Sequence, residues 1–147
     1  MIRPEFKDWH ELRQQNFFST HKELHNSMRF FFGEDFFAQV KSDLGNFGEI
    51  CSGDLETLIA DCDFIDHAPK LDSDNNAIRF HPSYAKAGAL IWKSGILSDS
   101  LKEDHTPKQA ILFYLLAHQG EGGHCCPIAC TAGLIQALNT YGSDDLK

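Results

Sequence analysis

Long apolar runs and an excess of positive charge are both missing from this sequence of 147 residues. No apolar stretch approaches the ~20 residues that a membrane-spanning helix needs, so the sequence predicts no bilayer span. Lysine and arginine number 13 against 21 aspartate and glutamate residues, which leaves a formal net charge of -8. Because nucleic acids and anionic lipids attract cationic surfaces, we expect neither as a partner.

An even number of cysteines, which a full set of disulfides would need, and an apolar signal segment near the start are missing as well. The five cysteines are an odd number, and the first six residues contain no apolar signal core. Reduced thiols in a cytoplasmic protein are the simplest interpretation. The composition, 42% hydrophobic and 23% charged, is typical of a folded globular protein. The length fits one domain that spans residues 1–147.

Helix signals extend along almost the whole chain, and they predict an all-α fold of about six helices. Thr20 and Glu23 have the spacing of a capping box. Gly33 and Gly45 are the expected stops of the next two helices. Residues 70–81 alone resemble β structure, with a polar turn before alternating apolar residues, and they predict one short hairpin or extended loop.

Prolines mark three later helix starts. Pro82 suits the first position of one helix, and Pro107 suits that of the next. The following run, residues 110–117, is apolar on every side and therefore predicts a helix that is covered all round. Pro127 begins a last helix of small and apolar residues, and Gly142 ends it.

The densest group of reactive side chains comprises His118, Glu121, His124, Cys125, Cys126 and Cys130. Structural zinc sites favour two separated Cys pairs, whereas two of these cysteines are adjacent and no second pair exists, so the spacing argues against zinc and we assign no metal ligands. A thiol/imidazole metal site at residues 124–130 stays open as a further hypothesis. Core cysteines are the favoured interpretation. A Cys–His nucleophile at a helix N-terminus stays open, although the sequence carries no signature of a cysteine hydrolase.

Two segments resemble a known family. Residues 118–147 contain Glu-Gly-Gly-His, then Cys126-Pro127 and Thr131, and later Gly-Ser-Asp-Asp-Leu-Lys. Upstream, residues 80–84 read Phe-His-Pro-Ser-Tyr. In their order and spacing these cues resemble the N-terminal helical domain of the acyl-CoA dehydrogenase superfamily, and most of all the branch that includes the adaptive-response protein AidB.

The resemblance implies a chain truncated before a flavin-binding β-domain. The intact protein would be an FAD-dependent oxidoreductase of fatty acid metabolism that removes hydrogen from the α and β carbons of an acyl-CoA. Most FAD contacts and the catalytic base would lie in the parts that follow. No catalytic or cofactor-binding residue is therefore expected here, and the chain alone should hold no cofactor and be inactive.

The resemblance also implies a cavity wall. The helix that begins near Cys125 resembles the one that lines the acyl cavity, which makes Cys125, Cys126, Ala129 and Cys130 candidate lining residues, with ordinary helix packing as the alternative for each. The expected partners are acyl-CoA and the remainder of the dehydrogenase, and a homo-oligomer stays open because the family commonly forms tetramers. A different hypothesis is a stand-alone helical interaction domain that completes a separate flavin-binding subunit.

Overall fold

The computed structural model describes residues 7–98, 105–119 and 123–146, and this part of the chain is mainly helical. Its α-helices are α1 (Lys7–Arg13), α2 (Phe17–Thr20), α3 (Lys22–Ser52), α4 (Asp54–Cys62), α5 (Pro82–Lys93), α6 (His105–Gln119) and α7 (Cys125–Tyr141). Strands β1 (Lys70–Asp72) and β2 (Ala77–Arg79) pair in an antiparallel hairpin. The predicted all-α fold, with its hairpin within residues 70–81, is confirmed. No helix in the described ranges is long and apolar enough to cross a bilayer.

A short capped helix leads the chain into the core. Asn16 Oδ1 accepts hydrogen bonds from two backbone N–H groups of α2, at 3.0 and 2.9 Å. The Nδ2 atom of the same side chain donates to the backbone oxygen of Gly45 at 2.9 Å, which ties α2 to α3. The Thr20 hydroxyl donates back to the Asn16 carbonyl, and α3 begins after His21 without a side-chain cap. The predicted capping box of Thr20 and Glu23 is therefore wrong.

Helix α3 is kinked at Gly33 and continues without a break through Gly45. Gly33 has φ 87° and ψ 167°, a conformation that only glycine adopts at low cost, and this non-helical residue interrupts α3 with a kink at the position where a helix stop was predicted. The predicted stop at Gly45 is wrong, because α3 continues to Ser52. A Cβ atom on Gly45 would meet the Phe18 ring at 3.9 Å, and one on Gly48 would meet Phe18 Cβ at 3.0 Å. These two glycines thus let α2 approach the middle of α3 closely.

The core lies between α3, α4, α5 and α6, with α2 packed against one end. Apolar residues at helical spacing line its inner faces, including Leu44, Phe47, Cys51, Leu55, Ile59, Ile91, Leu112, Leu115 and Leu116. Helix α6 buries one side only, since Tyr114 is 38% exposed and Ala117 is exposed too. The prediction that α6 is covered on every side is wrong in this chain.

Helix α7 lies at the edge of the fold. It begins two residues before Pro127, and Gly142 follows its last residue as predicted. Ile128 is its one buried residue, whereas Leu134 is 59% exposed. An apolar helix with so little of its surface covered leaves most of its small and apolar side chains in contact with solvent.

Candidate functional site

Three polar side chains from separate segments meet beside the hairpin. Asp61 lies in the last turn of α4, His67 closes the 3-10 turn that follows, and His81 immediately precedes α5. The antiparallel hairpin reverses the chain and so returns His81 to the end of α4. One potential ligand atom from each side chain lies within 4.8 Å of the other two. We call these three residues the imidazole–carboxylate cluster.

The two imidazoles of the cluster stack against each other and face one carboxylate. The ring centroids of His67 and His81 are 4.0 Å apart, with 7° between the ring planes. His67 Nδ1 is 3.4 Å from Asp61 Oδ1, and His81 Nδ1 is 3.3 Å from Asp61 Oδ2. His67 Nδ1 also lies 2.6 Å from the backbone oxygen of Asp61. Because a carbonyl oxygen only accepts, His67 Nδ1 is the donor in that hydrogen bond.

Ser83 positions two members of the cluster from the first turn of α5. Its hydroxyl donates to Asp61 Oδ2, and its backbone N–H donates to His81 Nδ1 at 3.3 Å. The hydroxyl hydrogen bond is the main cause that lowers the pKa of Asp61, while desolvation opposes it. His81, His67 and Lys86 also lower the pKa of this carboxyl group. Asp61 is therefore ionised at neutral pH.

A cavity of about 220 Å³ opens beside the cluster. Its walls are formed by Cys62, His67, Pro69, Phe80, His81, Tyr84 and Gly123. A larger cleft of about 480 Å³ runs along the hairpin and also reaches the two histidines. There Arg79 Nε donates to Asp72 Oδ2 at 2.7 Å, which links the two strands. The cluster is thus reached from solvent through two recesses.

Stacked rings connect this cavity to the start of α7. The Phe80 and Tyr84 rings stack at 4.5 Å, and the Tyr84 and His124 rings stack at 4.1 Å. The His124 side chain is buried, and its Nε2 lies 3.2 Å from the backbone oxygen of Tyr84. The two segments that carry the family resemblance therefore pack against each other in the structure.

The predicted cavity-lining residues lie on α7, apart from the cluster. Cys125 is half-buried and packs against the core. Cys126, Ala129 and Cys130 are exposed. Their role in lining an acyl cavity stays a prediction, because no finding tests it. The exposure shows that ordinary packing within this chain does not account for the last three residues.

The other reactive residues do not gather around the α7 thiols. His118 lies on the exposed side of α6, with its ring 4.8 Å from that of Phe17. Glu121 lies outside the described residues. His124 turns inward against Tyr84. In the described part of the chain, Asp61, His67 and His81 are the one group of three potential metal ligands that come together.

Sequence reasoning missed all three cluster residues as site residues, and His81 entered it only as part of the Phe-His-Pro-Ser-Tyr segment. Neither Asp61 nor His67 belongs to a motif of fixed spacing, because an irregular turn and a hairpin separate the three cluster residues. The available signal was His81, which stands directly before a predicted Pro-led helix and so at its N-cap. A hairpin just upstream of that helix implied that residues before the hairpin would lie near His81.

The comparisons with known proteins agree with the earlier resemblance. Residues 9–145 match the family model described as the adaptive response protein AidB N-terminal domain. No curated protein and no solved structure gave a significant match. The match includes residues 80–84 and all but the last two residues of 118–147, and it covers nearly the whole chain. The chain therefore belongs to the family of AidB N-terminal domains, within the acyl-CoA dehydrogenase-like superfamily.

Proposed function

We propose that this chain is the N-terminal helical domain of an FAD-dependent acyl-CoA dehydrogenase-like flavoprotein and forms part of its acyl cavity. Family membership over residues 9–145 supports the domain assignment. The exposure of α7 supports the cavity role. The parent reaction would be the α,β-dehydrogenation of an acyl-CoA, to which this chain contributes binding surface.

The observation that carries the proposal is one apolar surface on α7. We call it the α7 face, and it consists of Cys126, Ala129, Cys130, Gly133 and Leu134. These residues are three or four positions apart, so they share one side of the helix. All five are exposed, and Ile128, on the opposite side, is buried.

The chemistry of the α7 face suits an alkyl chain. None of its side chains is charged, and small residues leave room for a ligand beside the helix backbone. Acyl-binding pockets are lined mainly by apolar groups, and contiguous exposed apolar surfaces mark binding or domain interfaces. We infer that an acyl chain and the following domain cover this face together.

The α7 face does not fit FAD. A flavin dinucleotide needs donors for its pyrophosphate, and this surface offers no cationic side chain to supply them. We therefore assign no flavin contact and no catalytic step to these residues. In this proposal the flavin and the base come from the remainder of the protein, and the isolated chain does not oxidise acyl-CoA.

The first experiment is an immunoblot of source-cell extract with an antibody raised against this chain. The proposal expects a band several times larger than 16.6 kDa, from a protein that carries bound flavin. A band at 16.6 kDa that co-purifies with a larger flavin-containing subunit would instead support the alternative interaction domain. Oxidation of acyl-CoA by the purified 147-residue chain, with an artificial electron acceptor, would contradict the inactivity that we propose.

The second experiment tests the cavity wall in the intact flavoprotein. Ala129→Trp fills space on the α7 face, so we expect kcat/KM to fall about tenfold or more for long acyl-CoA substrates and less for short ones. Ala38→Trp makes the same change at an exposed position of α3 and should leave kcat/KM unchanged for both long and short acyl-CoA substrates. Equal effects of Ala129→Trp on every chain length would contradict an acyl-lining role.

A further inference from the structure

The imidazole–carboxylate cluster has the donor set of a transition-metal site. Asp61, His67 and His81 each place one potential ligand atom within 4.8 Å of the others. Two imidazoles with one carboxylate are a recurrent protein ligand set for zinc and for other divalent first-row metals. From this geometry we propose that Asp61, His67 and His81 bind one divalent transition-metal ion, with Zn²⁺ as the best match.

The ligand types decide which class of metal fits. Calcium and magnesium prefer shells of oxygen ligands, whereas two of the three donors here are nitrogen atoms. Zinc accepts three protein ligands and a fourth, exchangeable one. The cavity of about 220 Å³ beside His67 and His81 has room for that fourth ligand, a water molecule or a small anion.

Outer hydrogen bonds already orient the proposed ligands. The Ser83 hydroxyl, on a residue that is 5% exposed, donates to Asp61 Oδ2 and holds the carboxylate in place. His67 Nδ1 donates to the Asp61 carbonyl oxygen at 2.6 Å, so an ion bound at Nε2 leaves this hydrogen bond in place, whereas an ion bound at Nδ1 displaces its proton. Such outer partners are a regular feature of metal sites, because they fix the tautomer and the ring direction of each ligand.

A metal ion competes with only one weak contact at His81. The hydrogen bond from Ser83 N to His81 Nδ1 is 3.3 Å long, beyond the usual range for a nitrogen donor. The other contacts of this ring are the stack on His67 and the nearby carboxylate. The side chains of the cluster are 26–38% exposed, so an ion enters from solvent without unfolding of the chain.

The test is a Co²⁺ titration of the whole chain after it has been stripped of metal with a chelator. Cobalt replaces zinc in nitrogen and oxygen sites and gives visible d–d absorption bands. We expect saturation at one equivalent and displacement of cobalt by Zn²⁺. The cluster has no thiolate ligand, so the near-ultraviolet band of a cobalt–thiolate bond should be absent, whereas binding by the α7 cysteines would produce that band.

Variants at the cluster separate a metal site from adventitious binding. Asp61→Asn and His67→Gln should weaken Co²⁺ binding about tenfold or more. His81→Asn should do the same while an oxygen acceptor remains at the N-cap of α5, so its fold is the most secure of the three. The matched controls Asp66→Asn and His21→Gln change the same residue types outside the cluster and should keep the wild-type affinity.

A second measurement keeps the outcome clear if a variant is unstable. Zinc that binds the folded chain raises Tm by mass action, so at one fixed Zn²⁺ concentration we expect the full rise in wild type and in both controls and a clearly smaller rise in His81→Asn. Cobalt affinity that is the same in wild type and in all three cluster variants would overturn the proposal. A thiolate band that survives those variants would overturn it too.

Discussion

Gly48 is the residue whose size matters most for the junction of α2 and α3. A Cβ atom at this position would clash with Asn16 Oδ1 and would lie 3.0 Å from both Cβ and N of Phe18. Asn16 and Phe18 are held by the cap of α2, so neither has freedom to move away. Gly133 is a helical glycine too, yet a Cβ atom there would meet no other residue within 4 Å.

Gly48→Ala should lower the free energy of unfolding by about 1–3 kcal/mol, since it overpacks a close helix contact. Gly133→Ala, the matched control, should raise it by roughly 0.5–1 kcal/mol, because alanine favours a helix over glycine. Urea denaturation of the three proteins measures both effects. Equal stability of Gly48→Ala and wild type would mean that α2 does not pack as closely as the structure shows.

Burial controls the chemistry of one thiol in the core. Cys51 is fully buried in α3, and desolvation raises its pKa from 9.0 to about 12. Between these two pH values the unfolded chain loses the thiol proton while the folded chain keeps it. Stability from this group is therefore complete below the unfolded pKa and declines as the pH rises toward the folded pKa.

Wild type should lose more stability than Cys51→Ala when the pH is raised from about 8 to about 10. Of these two proteins, only wild type has the Cys51 thiol. The contributions of the other titrating groups to the pH dependence cancel when the two losses of stability are subtracted. Cys126→Ala is the control, because that side chain is exposed in the folded chain. Chemical denaturation at both pH values gives the comparison, and parallel losses in wild type and Cys51→Ala would contradict the assigned burial.

At the scale of elements, Asn16 links two helices with one side chain. Its oxygen caps α2, and its amide donates to the Gly45 carbonyl and to Glu49 Oε2 at 3.1 Å. A four-residue helix such as α2 has too few internal hydrogen bonds to be stable alone. Its position in the fold thus depends on this cap and on the burial of Phe17 and Phe18.

Asn16→Ala should cost about 1–2 kcal/mol of stability, since it removes an N-cap together with a tie between helices. Asn26→Ala is the matched control, because Asn26 is exposed on α3, and it should change stability by about 0.5 kcal/mol or less. Thermal unfolding followed by circular dichroism measures both variants. A loss for Asn26→Ala as large as that for Asn16→Ala would show that the cap has no special role.

At the scale of the whole molecule, charge opposes the attraction between exposed apolar surfaces. The net charge at pH 7 is -8, and it vanishes near pH 5.3. Phe30 and Phe31, beside the kink of α3, are 83% and 72% exposed, and the α7 face is exposed as well. Repulsion between these net charges opposes association of copies of the chain at neutral pH, and that repulsion is lost near the isoelectric point.

The isolated chain should therefore associate as the pH falls from 7 toward 5.3. Light scattering coupled to size exclusion reports this change in mass. Replacing both Phe30 and Phe31 with serine should reduce the association, because it removes this exposed aromatic patch. The exposed, uncharged pair Gln39 and Ser42, replaced with alanine, serves as a control away from that patch because it leaves the net charge unchanged. If the Phe30/Phe31 variant associates as strongly as the control when the pH falls, the association uses a different surface.

The sequence by itself determined the features that depend on neighbouring residues. Helical periodicity predicted the all-α fold, the polar turn before residue 77 predicted the hairpin, and Pro82 predicted the start of α5. Each of these signals works through local backbone preferences, which act before distant parts of the chain meet. The family resemblance was likewise local, since it depended on two short segments, and the family match confirmed it.

Only the tertiary structure decided which distant residues meet and which stay exposed. The hairpin returns His81 to Asp61 and His67, and no spacing along the chain encodes that contact. Gly45 was predicted to end a helix, whereas in the structure it lies within α3 and packs against Phe18 of α2. The sequence alone does not show this contact between helices. The exposure of α7 depends on which partners surround it, so periodicity predicted the helix but not its uncovered face. Contacts between residues far apart in sequence require chain reversal and close packing, which local preferences do not specify.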